Sequence, residues 1–301
     1  MEGSITGGSE PGSVVVGVDG SEQARAAALW AAAEAVRRGS SLHLVHATDT
    51  DGRAADLSEN NVLSLRAEGR ELLEHTAAAV SERHPGLPVT TELSRGGPAV
   101  SLHGAAANDG ILVVGNRGLG GFNSLLLGSV GLKVAASAKT PVIVVRGTAD
   151  PNGISTVLVA VRDEHDLVCA RHAAREAALC KASLRLLHVW NLLQSVGYVA
   201  PLLDDVDELA GGRMGSVAAV ADLIRAEFPE LTVDVDAEKS VSVAAVLVEA
   251  SHHAQLLVMG GRRSPGYIGP TLGRVTHSLL HHAHCPVELI PRSEKEHGGG
   301  S

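Results

Sequence analysis

Gly115-Asn-Arg-Gly118, nine further residues, and then Gly128-Ser129-Val130 make up the part of this 301-residue sequence best suited to chemistry. The apolar run Ile111-Leu-Val-Val114 leads into it and reads as a buried strand; Val130 to Ala138 follows and reads as a helix. Glycines placed after a strand let the backbone turn sharply and approach a ligand with no Cβ in the way. A Gly-Ser pair opening a helix presents unpaired N–H groups and the positive end of the helix dipole, which suits phosphate. Nearer the start, Val16-Gly-Val-Asp-Gly-Ser21 sets Asp19 at the end of another apolar run. That carboxylate can accept from ribose hydroxyls or hold Mg²⁺ through water. The backbone of Ala47, which ends the run Leu42–Ala47, can pair with the Watson–Crick edge of adenine.

These residues must be carried by elements that bring them together. Ser13–Val18 reads as a strand, and Ser21 caps an Ala-rich helix running to about Arg38. Leu42–Ala47 is a second strand, and Leu57–His84 a long helix stopped by Pro85-Gly86. Strand Val89–Leu93, helix Pro98–Asn108, strand Ile111–Gly115, helix Val130–Ala138 and strand Val142–Val145 complete the series. The strand runs lack clean alternation, as expected when both faces of a sheet are covered. Strands alternating with helices imply a doubly wound parallel sheet, whose ligands sit beyond the carboxyl ends of the strands at the topological switch point. Asp19, Ala47 and Gly115 all fall at such ends, so one crevice is expected to collect them.

The sequence repeats itself. Leu112-Val-Val-Gly115 returns as Leu257-Val-Met-Gly260, Leu127-Gly128 as Leu272-Gly273, and Thr140-Pro-Val142 as Cys285-Pro-Val287, all displaced by 145 residues. Leu42 to His46 returns as Leu184 to His188. The fold class expected is α/β: two tandem doubly wound, Rossmann-like domains, each a mainly parallel five-stranded sheet with helices on both faces. They span residues 13–147 and 155–292, joined by the turn-rich linker 148–154, with disordered tails at 1–12 and 293–301. The last strand of each repeat, with no helix after it in its own domain, is expected to be paired with another domain.

Composition narrows the function classes. A formal net charge of −9 disfavours nucleic acid and anionic membrane as partners, since both need a basic footprint. Three widely spaced cysteines signal neither a disulfide framework nor a structural zinc site. With no apolar run long enough to span a bilayer, a cytoplasmic location is expected. No G-x-x-x-x-G-K-[ST] occurs, and Gly17-Val-Asp-Gly20 is not G-x-G-x-x-G, which disfavours P-loop enzymes and dinucleotide-dependent dehydrogenases. Nothing resembles an activated nucleophile with a paired base, so binding without fast chemistry is expected.

The glycine spacing, with Val16-Gly-Val-Asp-Gly-Ser21 at the start of the domain, resembles the ATP-binding class of universal stress proteins, here in tandem form over residues 12 to 292. The resemblance implies ATP, with Mg²⁺, held by Gly17, Asp19, Ala47, Gly115, Arg117, Gly118, Gly128, Ser129 and Val130. It also implies a cytoplasmic, nucleotide-responsive regulator of stress or dormancy, acting through a protein partner or by sequestering ATP. The alternatives are slow ATP hydrolysis or phosphoryl transfer in the first site, and a nucleotide-free scaffolding module. A homodimer of tandem chains is a further expectation.

The second repeat departs from the motif where it matters. Arg162 stands where Asp19 does, Arg263 where Gly118 does and Arg274 where Ser129 does, and Pro265 and Pro270 stiffen the loop. One nucleotide per chain is therefore expected. The second crevice is either filled by its own side chains, with Arg162 or Arg274 paired to Asp163 or Glu164, or lined by guanidiniums that take another anion. His277, His281, His282 and His284 cluster near the last helix and read as a solvated face; no metal site is expected. His46 and His188 end matching strands and read as packed, hydrogen-bonded side chains.

Overall fold

The computed structural model describes residues 12–51, 58–106, 110–118, 127–146, 153–191, 203–261 and 272–291. The expected tails, most of the linker, and Arg263, Pro265 and Pro270 lie outside the described residues. The chain divides into two compact units, Met1–Ala149 and Asp150–Ser301.

In the first unit the order is β1 (Val14–Gly17), α1 (Glu22–Arg38), β2 (Leu42–Ala47), α2 (Glu59–Arg83), β3 (Val89–Ser94), α3 (Pro98–Ala106), β4 (Ile111–Gly115), α4 (Ser129–Ala136) and β5 (Val142–Val145). The strands lie in the order β3-β2-β1-β4-β5 and every pair is parallel. Alternation along each strand splits the core. Val14, Val16, Leu42, Leu44, Ile111, Val113, Ile143 and Val145 face α1 and α2, which bury Ala27, Ala28, Ala31, Ala32, Ala35, Leu73 and Val80 against them. Alanine supplies most of the contact stripe of α1, so that helix lies close over β1 and β4. The opposite face is covered by α3 and α4.

Local chemistry sets the boundaries. Ser21 Oγ accepts from the Ala24 N–H at 3.1 Å to open α1, and Gly39, at φ 63°, closes it in the left-handed region. Ser58 caps α2, and the chain turns at Gly86, φ 92°. Gly69 lets α2 settle on the sheet: a Cβ there would fall 2.8 Å from the His46 ring and 2.7 Å from Leu93.

The second unit repeats the plan with β6 (Thr156–Ala160), α5 (Leu167–Cys180), β7 (Ser183–Asn191), α6 (Leu203–Glu227), β8 (Val233–Ser240), α7 (Val243–Ala250), β9 (Leu256–Gly260), α8 (Arg274–His282) and β10 (Val287–Ile290). Its strands lie β10-β9-β6-β7-β8, again all parallel. Ala170, Ala173, Ala174 and Ala177 of α5 and Val217, Val220, Ala221 and Ile224 of α6 bury one face of the sheet. In each unit the chain leaves the first strand in one direction and returns on its other side, so the switch points fall between β1 and β4 and between β6 and β9. Among the described residues no helix is long and apolar enough to cross a membrane.

Candidate functional site

The loops after β1 and β4 meet at the switch point of the first unit. Asp19 follows β1, and the Ser21 N–H and hydroxyl both donate to its Oδ1, at 3.0 and 2.6 Å. The same Ser21 oxygen caps α1, so the carboxylate is fixed to the start of that helix. Its other oxygen, Oδ2, closes on the backbone of Gly118, where a Cβ would collide with it. Gly118 is thus the only residue type that fits beside Asp19 without moving it.

Across the same gap, Gly128 is the N-cap of α4, and no side chain caps the helix. Its N–H donates to the Asn116 carbonyl at 2.8 Å, which ties the helix start to the loop after β4. A Cβ on Gly128 would lie 3.6 Å from both the Arg117 Cα and the Gly118 nitrogen, so the two glycines are close neighbours. Ser129 and Val130, the first residues of α4, are exposed. The N–H groups of that first turn have no partner one turn back, by helix geometry, and are directed at whatever lies in front of the loop.

Ala47 reaches the crevice through the sheet. Ser41 and Val45 accept from Val14 of β1 and from Val18 just beyond it, whereas Leu42 and Thr48 donate toward the β3 side, so the odd positions of β2 face β1. The strand pairing ends at Gly17 with Val45, and two residues further on the backbone edge of Ala47 faces the side on which β1 has stopped. His46 closes the corner: its Nδ1 lies 2.8 Å from the Val18 carbonyl and donates to it. Its packed reading holds.

The remaining two glycines serve packing. A Cβ on Gly115 would fall 2.8 Å from the Gln23 carbonyl oxygen in the first turn of α1. One on Gly17 would fall 3.0 Å from Leu102 of α3. Gly115 holds β4 against α1, a backbone contact that no rotamer change can relieve. Arg117 lies half-buried between Asn116 and Gly118. Gly17, Asp19, Ala47, Gly115, Arg117 and Gly118 therefore stand at the carboxyl edge of this sheet or in the loops that leave it, and Gly128, Ser129 and Val130 at the start of α4.

The model of the universal stress protein family matches residues 12–146 and again residues 153–291. The chain belongs to that family. A universal stress protein of Mycolicibacterium smegmatis is 30% identical over 287 residues, covering 92% of this chain and 96% of its own. The crystal structure of a universal stress protein from Archaeoglobus fulgidus superposes with a TM-score of 0.69 at 18% identity, covering 94% of this chain and 97% of its own. A universal stress protein solved in complex with cAMP is 28% identical over 46% of this chain and 99% of its own, at a TM-score of 0.35.

The second universal stress domain keeps the frame and changes the chemistry. The Val161 N–H donates to Leu187 and His188 Nδ1 to the Val161 carbonyl, at 3.1 and 2.9 Å, which repeats the Val18, Val45 and His46 corner. Gly273 again caps the last helix without a side-chain bond. Arg162, however, is locked. Its N–H and Nε donate to Asp166 Oδ2 at 2.9 and 3.0 Å, and its Nη2 to Oδ1 at 2.8 Å. The Asp166 hydrogen bonds hold the guanidinium above its ordinary pKa despite partial burial. The expected partners Asp163 and Glu164 are thus replaced by Asp166. Asp163 is occupied instead in accepting from the His165 N–H, and the short helical turn Glu164–Asp166 swings Asp166 back under Arg162. Arg162 and Asp163 precede the helical turn, so no helical spacing in the sequence marks this pairing. Arg274 is exposed at the start of α8.

His277 and His281 stack at 4.3 Å between ring centroids and His252 and His284 at 3.4 Å, which extends the histidine face to a residue before β9.

Proposed function

We propose that the first universal stress domain binds ATP, with the phosphates at the first turn of α4, the ribose beside Asp19 and adenine against the backbone edge of Ala47. The observation that supports this most is the contact of Gly118 with Asp19. Side-chain bulk is excluded between a carboxylate suited to ribose or hydrated Mg²⁺ and a helix start suited to phosphate. When Mg²⁺ accompanies the nucleotide, Asp19 is the carboxylate at hand to hold it through water. Arg117, in the same loop, adds positive charge near the phosphate position.

The chain then acts as a nucleotide-responsive regulator, through a protein partner or by holding ATP out of circulation. Positioning without an activated nucleophile or a P-loop lysine supports binding over turnover. The test is mass spectrometry of the small molecule released on denaturing protein that has been incubated with MgATP and freed of unbound nucleotide. Intact ATP in an amount comparable to the chain is expected; its absence would overturn the reading. Phosphate release at about 1 s⁻¹ or faster would instead mark an enzyme.

A further inference from the structure

The second universal stress domain also buries charge between α5 and β10. Glu288 stands inside the run Val287-Glu-Leu-Ile290, which is otherwise apolar, and is fully buried. Ile290, two residues on and so on the same face of β10, packs in the cluster under α5. From α5 come His172 and Glu176, one turn apart on a single stripe, with Glu176 1% exposed. His172 Nε2 lies 2.8 Å from Glu288 Oε1 and 3.2 Å from Glu176 Oε1. The three ligand atoms fall within 4.8 Å of one another, and among the described residues this is the one group of three His, Cys, Asp or Glu side chains so disposed.

Two acids and one imidazole are brought together out of water here. A ring nitrogen has one proton to donate, and here two carboxylates converge on it. Apolar residues of similar volume would stabilise such a site at least as well. The spacing has a simpler chemical use. Tetrahedral ligands about 2.0–2.2 Å from a metal ion stand about 3.3–3.6 Å from each other, and His172 Nε2, at 2.8 and 3.2 Å from the two carboxylate oxygens, needs to draw back only slightly to admit one. An imidazole nitrogen with two carboxylates selects first-row transition ions over Mg²⁺ and Ca²⁺, and two carboxylate charges balance a divalent ion.

We propose that His172, Glu176 and Glu288 form a binding site for a divalent first-row transition cation, ligated by Nε2 and one oxygen of each carboxylate. The site lies between α5 and β10 of the second unit and uses none of the residues assigned to nucleotide. His172 is the ligand that reaches the surface, its side chain being 17% exposed, and gives the ion its way in. On binding, Nε2 gives up its proton to solvent and its lone pair to the metal. That proton is the competitor. Burial by itself pushes the His172 imidazolium down, but Glu288 and Glu176 together lift it to about 10.

The test uses the full chain stripped of metal with a chelator. In crystals soaked with zinc chloride, an anomalous difference map at the zinc edge should place a peak bonded to His172, Glu176 and Glu288. Peaks confined to the surface histidines, or none, would overturn the proposal. In solution, calorimetric titration with Zn²⁺ at about pH 8, where metal binding must still displace the His172 proton, should give one more equivalent for the wild type than for Glu288→Gln. The histidine pairs His252–His284 and His277–His281 contribute equally to both and cancel. Identical isotherms from two folded proteins would overturn the proposal. Should Glu288→Gln fail to fold, the anomalous map alone decides.

Discussion

Gly118 carries the chemistry of the first unit through what it lacks. The first carbon of any side chain there would meet Asp19 Oδ2, and for Asp19 to retreat it would have to strain or break the two hydrogen bonds from Ser21 that hold its other oxygen. Gly118→Ala should therefore weaken nucleotide binding while costing about 1–3 kcal/mol of stability, the usual range for overpacking. Gly118→Arg, which reproduces the residue found at Arg263, should abolish binding. Fluorescent-nucleotide titration with a thermal melt on each variant separates the two effects; unchanged affinity in Gly118→Arg would place the nucleotide elsewhere. Gly115 makes an instructive contrast. Both glycines flank one loop, and spacing alone gives both to the ligand. The structure gives Gly115 a partner in Gln23, a tertiary contact between β4 and α1 that no local pattern encodes.

At the scale of elements, two helix starts organise the two crevices in opposite ways. In the first unit Ser21 both caps α1 and fixes Asp19. Ser21→Ala should cost about 1 kcal/mol in chemical denaturation and also weaken nucleotide binding, because the carboxylate loses its hydroxyl donor and keeps only the backbone N–H of residue 21. Loss of stability with no change in affinity would separate the cap from the site. In the second unit the turn Glu164–Asp166 brings an almost fully buried carboxylate under Arg162. Asp166→Ala should cost about 2 kcal/mol, less than a fully buried pair because the Arg162 side chain is 47% exposed. A denaturation midpoint equal to wild type would show that the pair contributes nothing. Most of these elements were legible: strands Leu42–Ala47, Ile111–Gly115 and Val142–Val145 have the boundaries that their apolar runs imply, and Ser21 caps as its type predicts. The Asp166 pairing was harder to see, because Asp163 and Glu164 are nearer in sequence and only the turn geometry chooses among three acids. Glu288 was legible in principle, as a lone charge in a buried strand, but its partners on α5 lie more than a hundred positions away and only the fold supplies them.

For the whole molecule, duplication has kept the frame and divided the chemistry. Both domains retain the parallel order, the histidine at the end of the second strand and the glycine before the last helix. Arg162, bound to Asp166, occupies the position of Asp19, and Arg274 that of Ser129. On the proposed reading the first domain is expected to hold nucleotide and the second to hold none in its crevice, which gives one ATP site per chain. Isothermal titration calorimetry of MgATP into the full chain tests this most directly. The account predicts a stoichiometry of one nucleotide per chain, with all binding heat lost in a folded Gly118→Arg variant. A stoichiometry of two, or heat that survives that substitution, would contradict it.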